Sequence, residues 1–168
     1  MLKLVTAPNP ILNTQAEPWV FKTEQDFELA RQTEIDMVQL MVESKGIGLA
    51  AQQAGLTKRV FAIHLKDQIP FCMFNPSILW GDDKMIEGEE GCLSFPELFL
   101  KVSRHNNITV RYVDRQSKEC IIELSGIDSR CFQHELDHLD GVCFTSYISP
   151  LKLALAKKKL LKKRKRNG

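Results

Sequence analysis

The sequence predicts an α+β fold, with antiparallel strands around a central helix and further helices at both ends of the chain. Three observations support this: helical spacing of apolar residues near the N terminus, short β-branched runs in the middle, and helical spacing again in the last third. The 168 residues are 43% hydrophobic and 26% charged, which is typical of one globular domain. We therefore expect a single domain over 1–150 and a basic helix or tail over 151–168.

The first predicted helix begins near Thr23, because Thr23 and Asp26 have the spacing of a capping box. Apolar residues at helical spacing then extend to about Ser44. After it come four short runs that are rich in β-branched and aromatic residues and bounded by turn residues. These runs predict strands at 58–65, 71–79, 107–114 and 119–124.

Helical spacing resumes over 127–139, and Gly141 predicts where that helix stops. Pro150, which follows a serine, suits the first turn of a last helix. Leu151 and Leu155 are the residues that we expect to pack the start of this helix on the body. The cationic remainder should project into solvent.

The net charge of +2 is the sum of two unequal parts. Residues 151–168 hold nine Lys or Arg and no acidic residue, whereas the other 150 residues hold 14 basic and 21 acidic ones. An acidic body disfavours binding of a phosphate backbone, as in DNA, over a broad surface, while the basic end predicts attachment to nucleic acid or to an anionic membrane face. No apolar stretch approaches the ~20 residues of a membrane span. Five scattered cysteines favour a reducing cytosol over a disulfide framework.

The sharpest local pattern is His134-Glu135-Leu136-Asp137-His138. On a helix, histidines at i and i+4 share one face about 6 Å apart along the axis, so they can bind one metal ion. Glu135 is then placed to take a proton from water. A surface helix with two solvent-facing histidines is the alternative interpretation.

A catalytic metal needs a third protein ligand and an open position. No His, and no acid beyond Asp140, follows the helix, so this ligand must come from upstream. Cys92 is the best candidate, since the glycine before it and a strand-like run after it describe a tight bend that presents a side chain. Cys131 more simply contributes to the core or to a pocket wall.

The segment 46–53, Gly-Ile-Gly-Leu-Ala-Ala-Gln-Gln, is a weaker signal. Its glycines allow close approach to a ligand, and a glutamine amide can stabilise an oxyanion. A phosphate-binding loop is disfavoured, because no strand precedes the segment and no suitably placed lysine follows it.

Together, GIGLAAQQ (46–53), EGCLS (90–94) and QHELDHLDG (133–141) resemble the three motifs of the peptide deformylase family, in the same order and at similar spacing. The resemblance implies that Cys92, His134 and His138 hold one divalent metal ion. That ion is Fe(II) in the family's native form, with Zn(II), Ni(II) or Co(II) as replacements. It also implies removal of the formyl group from N-formylmethionyl nascent peptides, with release of formate.

The resemblance assigns further roles. Glu135 would be the general base, and the Gln53 amide with the Leu93 backbone N–H would stabilise the oxyanion. The backbone of Ile47, Gly48 and Gly91 would pair with the peptide as an added strand. The full set of predicted substrate-binding residues is Gly46, Ile47, Gly48, Gly91 and Cys131.

The resemblance also gives the tail a partner, the ribosome near its tunnel exit, and a location in the cytoplasm of a bacterium or a phage-infected bacterial host. Two alternatives remain: a zinc-dependent protease or amidase, and a metal-stabilised RNA-binding module without activity.

Three positions depart from the family pattern. Lys45 and Phe99 stand where many members have a glutamate and an arginine, and Arg130 stands where bacterial relatives have an aliphatic residue. These changes leave the predicted ligands intact and concern substrate preference. Arg130 should extend outward or narrow the pocket.

Overall fold

The computed structural model of the protein describes residues 2–167, and of residue 167 the backbone alone. Its helices and strands confirm the predicted α+β class. In chain order they are α1 (Glu24–Glu43), β1 (Gly48–Ala50), β2 (Val60–Ile63), β3 (Phe71–Gly81), β4 (Met85–Cys92), β5 (Phe95–His105), β6 (Asn107–Val113), β7 (Glu119–Ser125), α2 (Gly126–Leu139) and α3 (Pro150–Asn167).

Helix α1 begins where the sequence indicates. Thr23 is its N-cap: the Thr23 hydroxyl accepts from the Asp26 N–H at 3.3 Å, and the Asp26 carboxylate accepts from the Thr23 N–H at 2.8 Å. These two bonds satisfy backbone donors that the first turn leaves unpaired. The helix buries Ala30, Met37 and Met41 against the sheet.

The strands form two antiparallel sheets. Five of them make a sheet in the order β1-β2-β3-β6-β7, and β4 pairs with β5 as a separate hairpin. In the hairpin Cys92 pairs with Phe95, so residues 93–94 form the turn, and the register shifts between Gly91 and Cys92. This irregularity is the tight bend that the sequence predicts next to Cys92.

The four predicted strands are present as β2, β3, β6 and β7, but β1, β4 and β5 were not predicted. β1 has only three residues, and most of β4 is exposed, so neither shows an alternating pattern. β5 does alternate, since Leu98, Leu100, Val102 and Arg104 are buried and the residues between them are exposed. A charged residue at the last of these positions obscures the signal.

The main core lies between α1, the five-stranded sheet and α2. Phe61 and Phe132 meet edge to face there, with ring centroids 5.3 Å apart. A smaller cluster lies under the hairpin, on the side facing α3. Its buried members are Leu98, Leu100, Val102 and Phe144. Helix α2 lies between the two sheets, which puts its polar face in the interior.

Helix α3 begins at Pro150 as predicted, but the expected packing was wrong. Leu151 and Leu155 are 71% and 58% exposed. Instead Leu153, Ala156 and Leu160 pack on the smaller cluster, because spacings of three and four residues keep these three on one face. Arg164, expected in solvent, also contacts the hairpin: it donates to the carbonyl of Pro96 at 3.2 Å and pairs with Glu97 at 3.3 Å. Among residues 2–167, none of the helices has the length and apolar composition that crossing a bilayer requires.

Candidate metal centre

Helix α2 carries four of the predicted site residues on its buried face: Cys131, His134, Glu135 and His138. His134 and His138 stand one turn apart, with ring centroids 5.0 Å apart. Bonds to the end of β5 hold the helix in place: Ser129 Oγ and Gln133 Nε2 donate to the carbonyl of His105 at 2.8 and 2.9 Å. The two histidines are therefore fixed by contacts from another part of the chain, not by the helix alone.

Cys92 reaches these histidines from the end of β4. Its Sγ lies 3.3 Å from His138 Nε2. One ligand atom each from Cys92, His134 and His138 lie within 4.8 Å of one another, and within the described residues no other trio of His, Cys, Asp or Glu meets in this way. The three residues that the sequence nominated as ligands are thus brought together by two elements that are far apart in the chain.

This donor set fits a metal ion. One thiol and two imidazoles are the ligands that tetrahedral sites for zinc and similar ions use, with an open fourth position in catalytic sites. A sulfur-to-nitrogen separation of 3.3 Å suits two ligands of one ion, whose bonds are about 2.0–2.3 Å long. Oε2 of Glu135 is buried without a hydrogen-bond partner in the protein, as at a site built around another group.

Glu90 orients the first histidine. His134 Nδ1 donates to Glu90 Oε2 at 2.9 Å, which leaves Nε2 for a ligand. Arg104 donates to both oxygens of Glu90 at 2.9 and 3.0 Å, and to Asp137 at 2.5 Å. Although burial acts to raise it, hydrogen bonds from His134 and Arg104 lower the pKa of Glu90 to about 2. The carboxylate is therefore ionised and accepts from the imidazole.

The two imidazoles differ in their electrostatics. Burial, with a smaller effect of His134, lowers the pKa of His138 to about 3, so His138 is neutral as a ligand must be. Burial acts in the same direction on His134, but hydrogen bonds to Cys92 and Glu90 outweigh it and raise the pKa to about 10. A metal ion must displace a proton from His134, so binding depends on pH.

Glu135 lies next to the trio, buried against β1. A Cβ on Gly48 would collide with the Glu135 carboxylate, so only glycine fits at this contact. Burial raises the pKa of Glu135 to about 7. A carboxylate with a pKa near neutrality is suited to accept and return a proton at physiological pH.

Gln53 comes from a short 3-10 turn (Ala51–Ala54) after β1. Its Oε1 accepts from the Ala50 N–H at 2.9 Å, which fixes the direction of the amide. Its Nε2 then donates to Ser94 Oγ at 3.1 Å and to Cys92 Sγ at 3.3 Å. An amide N–H of Gln53 therefore points at Cys92, one of the three predicted ligands.

A cavity of about 620 Å³ opens beside these side chains. Ten of the eleven residues predicted for the site line it: Gly46, Ile47, Gly48, Gln53, Gly91, Cys92, Leu93, Cys131, His134 and Glu135. The eleventh, His138, lies behind them and is buried. Cys131 is in the wall, 3.5 Å from the carbonyl of Ile47, and burial raises the pKa of its thiol well above the usual value, so it is protonated there.

The mouth of the cavity carries two of the three departures from the family pattern. Lys45 and Phe99 both line it, and Phe99 is 60% exposed. The Phe99 ring lies over Gly91, where a Cβ would come within 2.7 Å of it. An aromatic ring and an ammonium group therefore border the entrance.

Sequence reasoning missed Arg104 and Asp137. The available signal for Arg104 was its place in the alternating pattern of β5, which puts a guanidinium inside the protein and demands a buried acid as partner. Asp137 had no such signal, because a second acid in a helix is ordinarily exposed. The expectation for Arg130 was incomplete: it lines the cavity, but its guanidinium is bonded to Glu90 and to the hairpin.

Comparisons with known proteins agree with this geometry. The family model for polypeptide deformylase matches residues 1–154. "Peptide deformylase 2" of Xanthomonas axonopodis pv. citri is 40% identical over 167 residues, covering 98% of this chain and 97% of that protein.

Solved structures are equally similar. The crystal structure of peptide deformylase from Thermotoga maritima superposes with a TM-score of 0.82 at 38% identity, over 89% of this chain and 99% of that one. That of the Synechococcus elongatus enzyme in complex with actinonin gives 0.84 at 35% identity, over 94% and 85%. Neither a zinc-dependent protease nor an inactive RNA-binding module is supported by these matches. The chain belongs to the polypeptide deformylase family.

Proposed function

We propose how the residues of this chain divide the work of peptide deformylation. The reaction is the family's: hydrolysis of the formyl group from the N-terminal N-formylmethionine of nascent polypeptides, with release of formate. In our proposal Cys92, His134 and His138 hold the single catalytic metal ion. The observation that supports this most directly is the meeting of their ligand atoms within 4.8 Å beside a buried carboxylate.

The ion in the cell is proposed to be Fe(II), with Zn(II), Ni(II) or Co(II) able to replace it. One sulfur and two nitrogen donors suit all four ions, so the donor set supports the group and does not choose among its members. When bound, the ion supplies Lewis acidity, which lowers the pKa of a water molecule and polarises the formyl oxygen.

Glu135 is the proposed general base. Its carboxylate accepts a proton from the attacking water and returns it to the amine that leaves as the C–N bond of the formamide breaks. The support is its burial, its oxygen without a protein partner and its pKa near 7. The products are formate and a free N-terminal amine.

The oxyanion of the tetrahedral intermediate is proposed to receive hydrogen bonds from Gln53 Nε2 and from the backbone N–H of Leu93. Both groups border the cavity, and the bond between Gln53 Oε1 and Ala50 already holds the amide in a fixed direction. Donors that are oriented before the reaction stabilise developing charge without reorganisation.

The peptide is proposed to bind as an added strand between the backbones of β1 and β4, contacting Gly46, Ile47, Gly48 and Gly91, with Cys131 in the pocket wall. Among the described strands β1 pairs with β2 alone and β4 pairs with β5 alone, so each has an open edge toward the cavity. Main-chain pairing recognises a peptide with little regard to its sequence, as processing of many nascent chains requires.

We further propose that 1–150 is the catalytic domain and that 151–168 attaches it to the ribosome near the tunnel exit, in the cytoplasm of a bacterium or of a phage-infected host. The support is the cationic outer face of α3, and a substrate that exists only as chains emerge from ribosomes. The acidic body gives no reason to expect DNA as a partner.

Substitution of one ligand tests this proposal. Cys92→Ser replaces a thiolate with a poor ligand, so we expect loss of bound metal and of formate release from formyl-Met-Ala, measured on protein prepared without oxygen. Cys120→Ser, on β7, is the matched control and should retain both. Full metal content and normal turnover in Cys92→Ser would remove Cys92 from the ligand set.

A further inference from the structure

Arg130 joins helix α2 to both strands of the β4–β5 hairpin. Its Nη1 donates to the carbonyl of Val102 on β5 at 2.7 Å, and its Nη2 donates to the carbonyl of Ile86 on β4 at 2.6 Å. Nη1 also donates to Glu90 Oε1 at 2.8 Å. One planar group thus binds two neighbouring strands and a side chain, a geometry that the guanidinium fork allows and a lysine ammonium does not reproduce.

The hairpin has a gap that accommodates this group. Gly88 pairs with Val102 across the hairpin, and a Cβ on Gly88 would lie 2.8 Å from the guanidinium carbon of Arg130. The guanidinium therefore lies where any other residue at 88 would put its side chain. Arg130 is only 12% exposed, so its bonds to Val102 and Glu90 are partly shielded from water.

The charge of Glu90 does not by itself require Arg130. Arg104 already donates to both Glu90 oxygens, and His134 donates to one of them. The contacts that Arg130 alone makes are those to the hairpin backbone, just ahead of the strand end that carries Cys92. The histidines and Cys92 belong to different elements, so the fit between α2 and the hairpin determines the distance between the ligands.

We propose that Arg130 is a positioning residue that fixes the β4–β5 hairpin on α2 and thereby holds Cys92 at ligating distance from His134 and His138. This inference rests on the proposed ligand set and extends it to a residue that is not itself one of the ligands. Outer residues that orient ligands typically change metal affinity about 10–100-fold when replaced.

The test compares Arg130→Met, similar in length but without donors, with Arg130→Lys and the unchanged protein, all loaded with Co(II). We expect Co(II) to pass to a chelator roughly tenfold or more faster from Arg130→Met, and the thiolate-to-cobalt absorption band to weaken or shift. Arg130→Lys should fall between the two. Unchanged release and an unchanged band in Arg130→Met would overturn the proposal, even if thermal unfolding of the metal-free variant showed lower stability.

Gly88→Ala provides a second, independent test of the role of Arg130. With Arg130 present the added methyl displaces the guanidinium, so Gly88→Ala should also release Co(II) faster. With Arg130→Met the flexible side chain gives way, so adding Gly88→Ala should change little. Strictly additive effects on the release rate would contradict the proposal.

Cys92→Ser distinguishes failure of the proposed ligand set from failure of the proposed role of Arg130. If Cys92→Ser loses the thiolate band while Arg130→Met matches the unchanged protein, the ligand set stands and the role of Arg130 fails. If Cys92→Ser keeps the band, the ligand set is wrong and the inference falls with it.

Discussion

Helices α2 and α3 handle charge in opposite ways. α2 has 14 residues, eight of them buried, and three of its ionisable side chains pair with Glu90 or Arg104: Arg130, His134 and Asp137. α3 has 18 residues, and through 166 none is buried, so its cations face water except where Arg164 meets the hairpin. The charges of α2 are therefore held by fixed partners, whereas most of those of α3 are free to meet a partner from solution.

The contrast between the two helices is one between short-range electrostatic interactions inside the protein and a long-range field at its surface. Inside the protein the effective dielectric is low, so a charge is tolerated only with fixed partners, and the partners in turn fix geometry. On the surface each charge is weakly coupled to its neighbours and screened by salt, but many together produce a field that reaches a partner. We therefore expect substitutions on α2 to change chemistry and stability, and substitutions on α3 to change association.

The largest effect is expected from Glu135→Gln. The amide preserves shape but cannot accept a proton from water, so kcat for formate release should fall roughly 10²- to 10⁴-fold. Metal content should stay unchanged, because Glu135 is not among the proposed ligands. Glu123→Gln, on exposed β7, should behave like the unchanged protein. Near-normal turnover in Glu135→Gln would show that the buried carboxylate of α2 is structural.

Arg104→Met should have the next largest effect, on stability. The side chain is 5% exposed, and its removal leaves buried Glu90 and half-buried Asp137 with fewer partners. Breaking a buried ion pair from one side typically costs about 3–5 kcal/mol, measured as the free energy of unfolding of the metal-free protein. Arg111→Met removes an arginine that is 50% exposed and lies 4.0 Å from Glu119, and should cost less than about 1 kcal/mol. Equal costs would contradict the contrast between buried and surface charge.

Much of the fold could be predicted because local signals and burial agree. A capping box, short β-branched runs and a proline after a serine located α1, four strands and the start of α3. β4 was not predicted, because a mostly exposed strand of a two-stranded sheet needs no alternation of apolar and polar residues. The contact face of α3 was misassigned because leucines occur on several of its faces, and only the position of the smaller cluster decides which are covered.

The site could be predicted where metal binding or catalysis requires particular residue types a few positions apart in the sequence. The His134 to His138 spacing follows from helix geometry, and the lack of a later ligand directed attention upstream to Cys92. The residues that orient them depend on contacts between distant parts of the chain. Arg104 binds Glu90 from 14 positions away, and Arg130 binds it from 40, which no local pattern encodes.

The cavity mouth offers a smaller test, since Lys45 and Phe99 line it and are exposed. Phe99→Arg alone would bring a second cation to the entrance, whereas Lys45→Glu with Phe99→Arg would create an opposite-charge pair. An exposed pair contributes about 0.2–1 kcal/mol, so the double variant should exceed the Phe99→Arg variant in kcat/KM by at most about fivefold. Additive effects on deformylation kinetics would show that the two positions do not interact.

The smallest effect on turnover is expected from the tail. Removing 157–168 leaves the site intact, so hydrolysis of a free formyl dipeptide should be nearly unchanged. The deletion also removes Leu160 and Arg164, which contact the hairpin, so a variant that keeps this contact is the sharper test. Replacing exposed Lys158, Lys162 and Lys165 with Gln removes charge from α3 and leaves its packing face in place.

If the outer face of α3 binds ribosomal RNA, each lost phosphate contact should reduce the slope of log affinity against log salt by roughly 0.7–0.9. Co-sedimentation with ribosomes should therefore weaken most at low salt, and the glutamine variant should approach the truncated protein as salt rises. A membrane-surface helix predicts instead that acidic vesicles compete for the protein and ribosomes do not. Ribosome association that is unaltered by both variants at low and moderate salt would leave the cations of α3 as a solubilising surface.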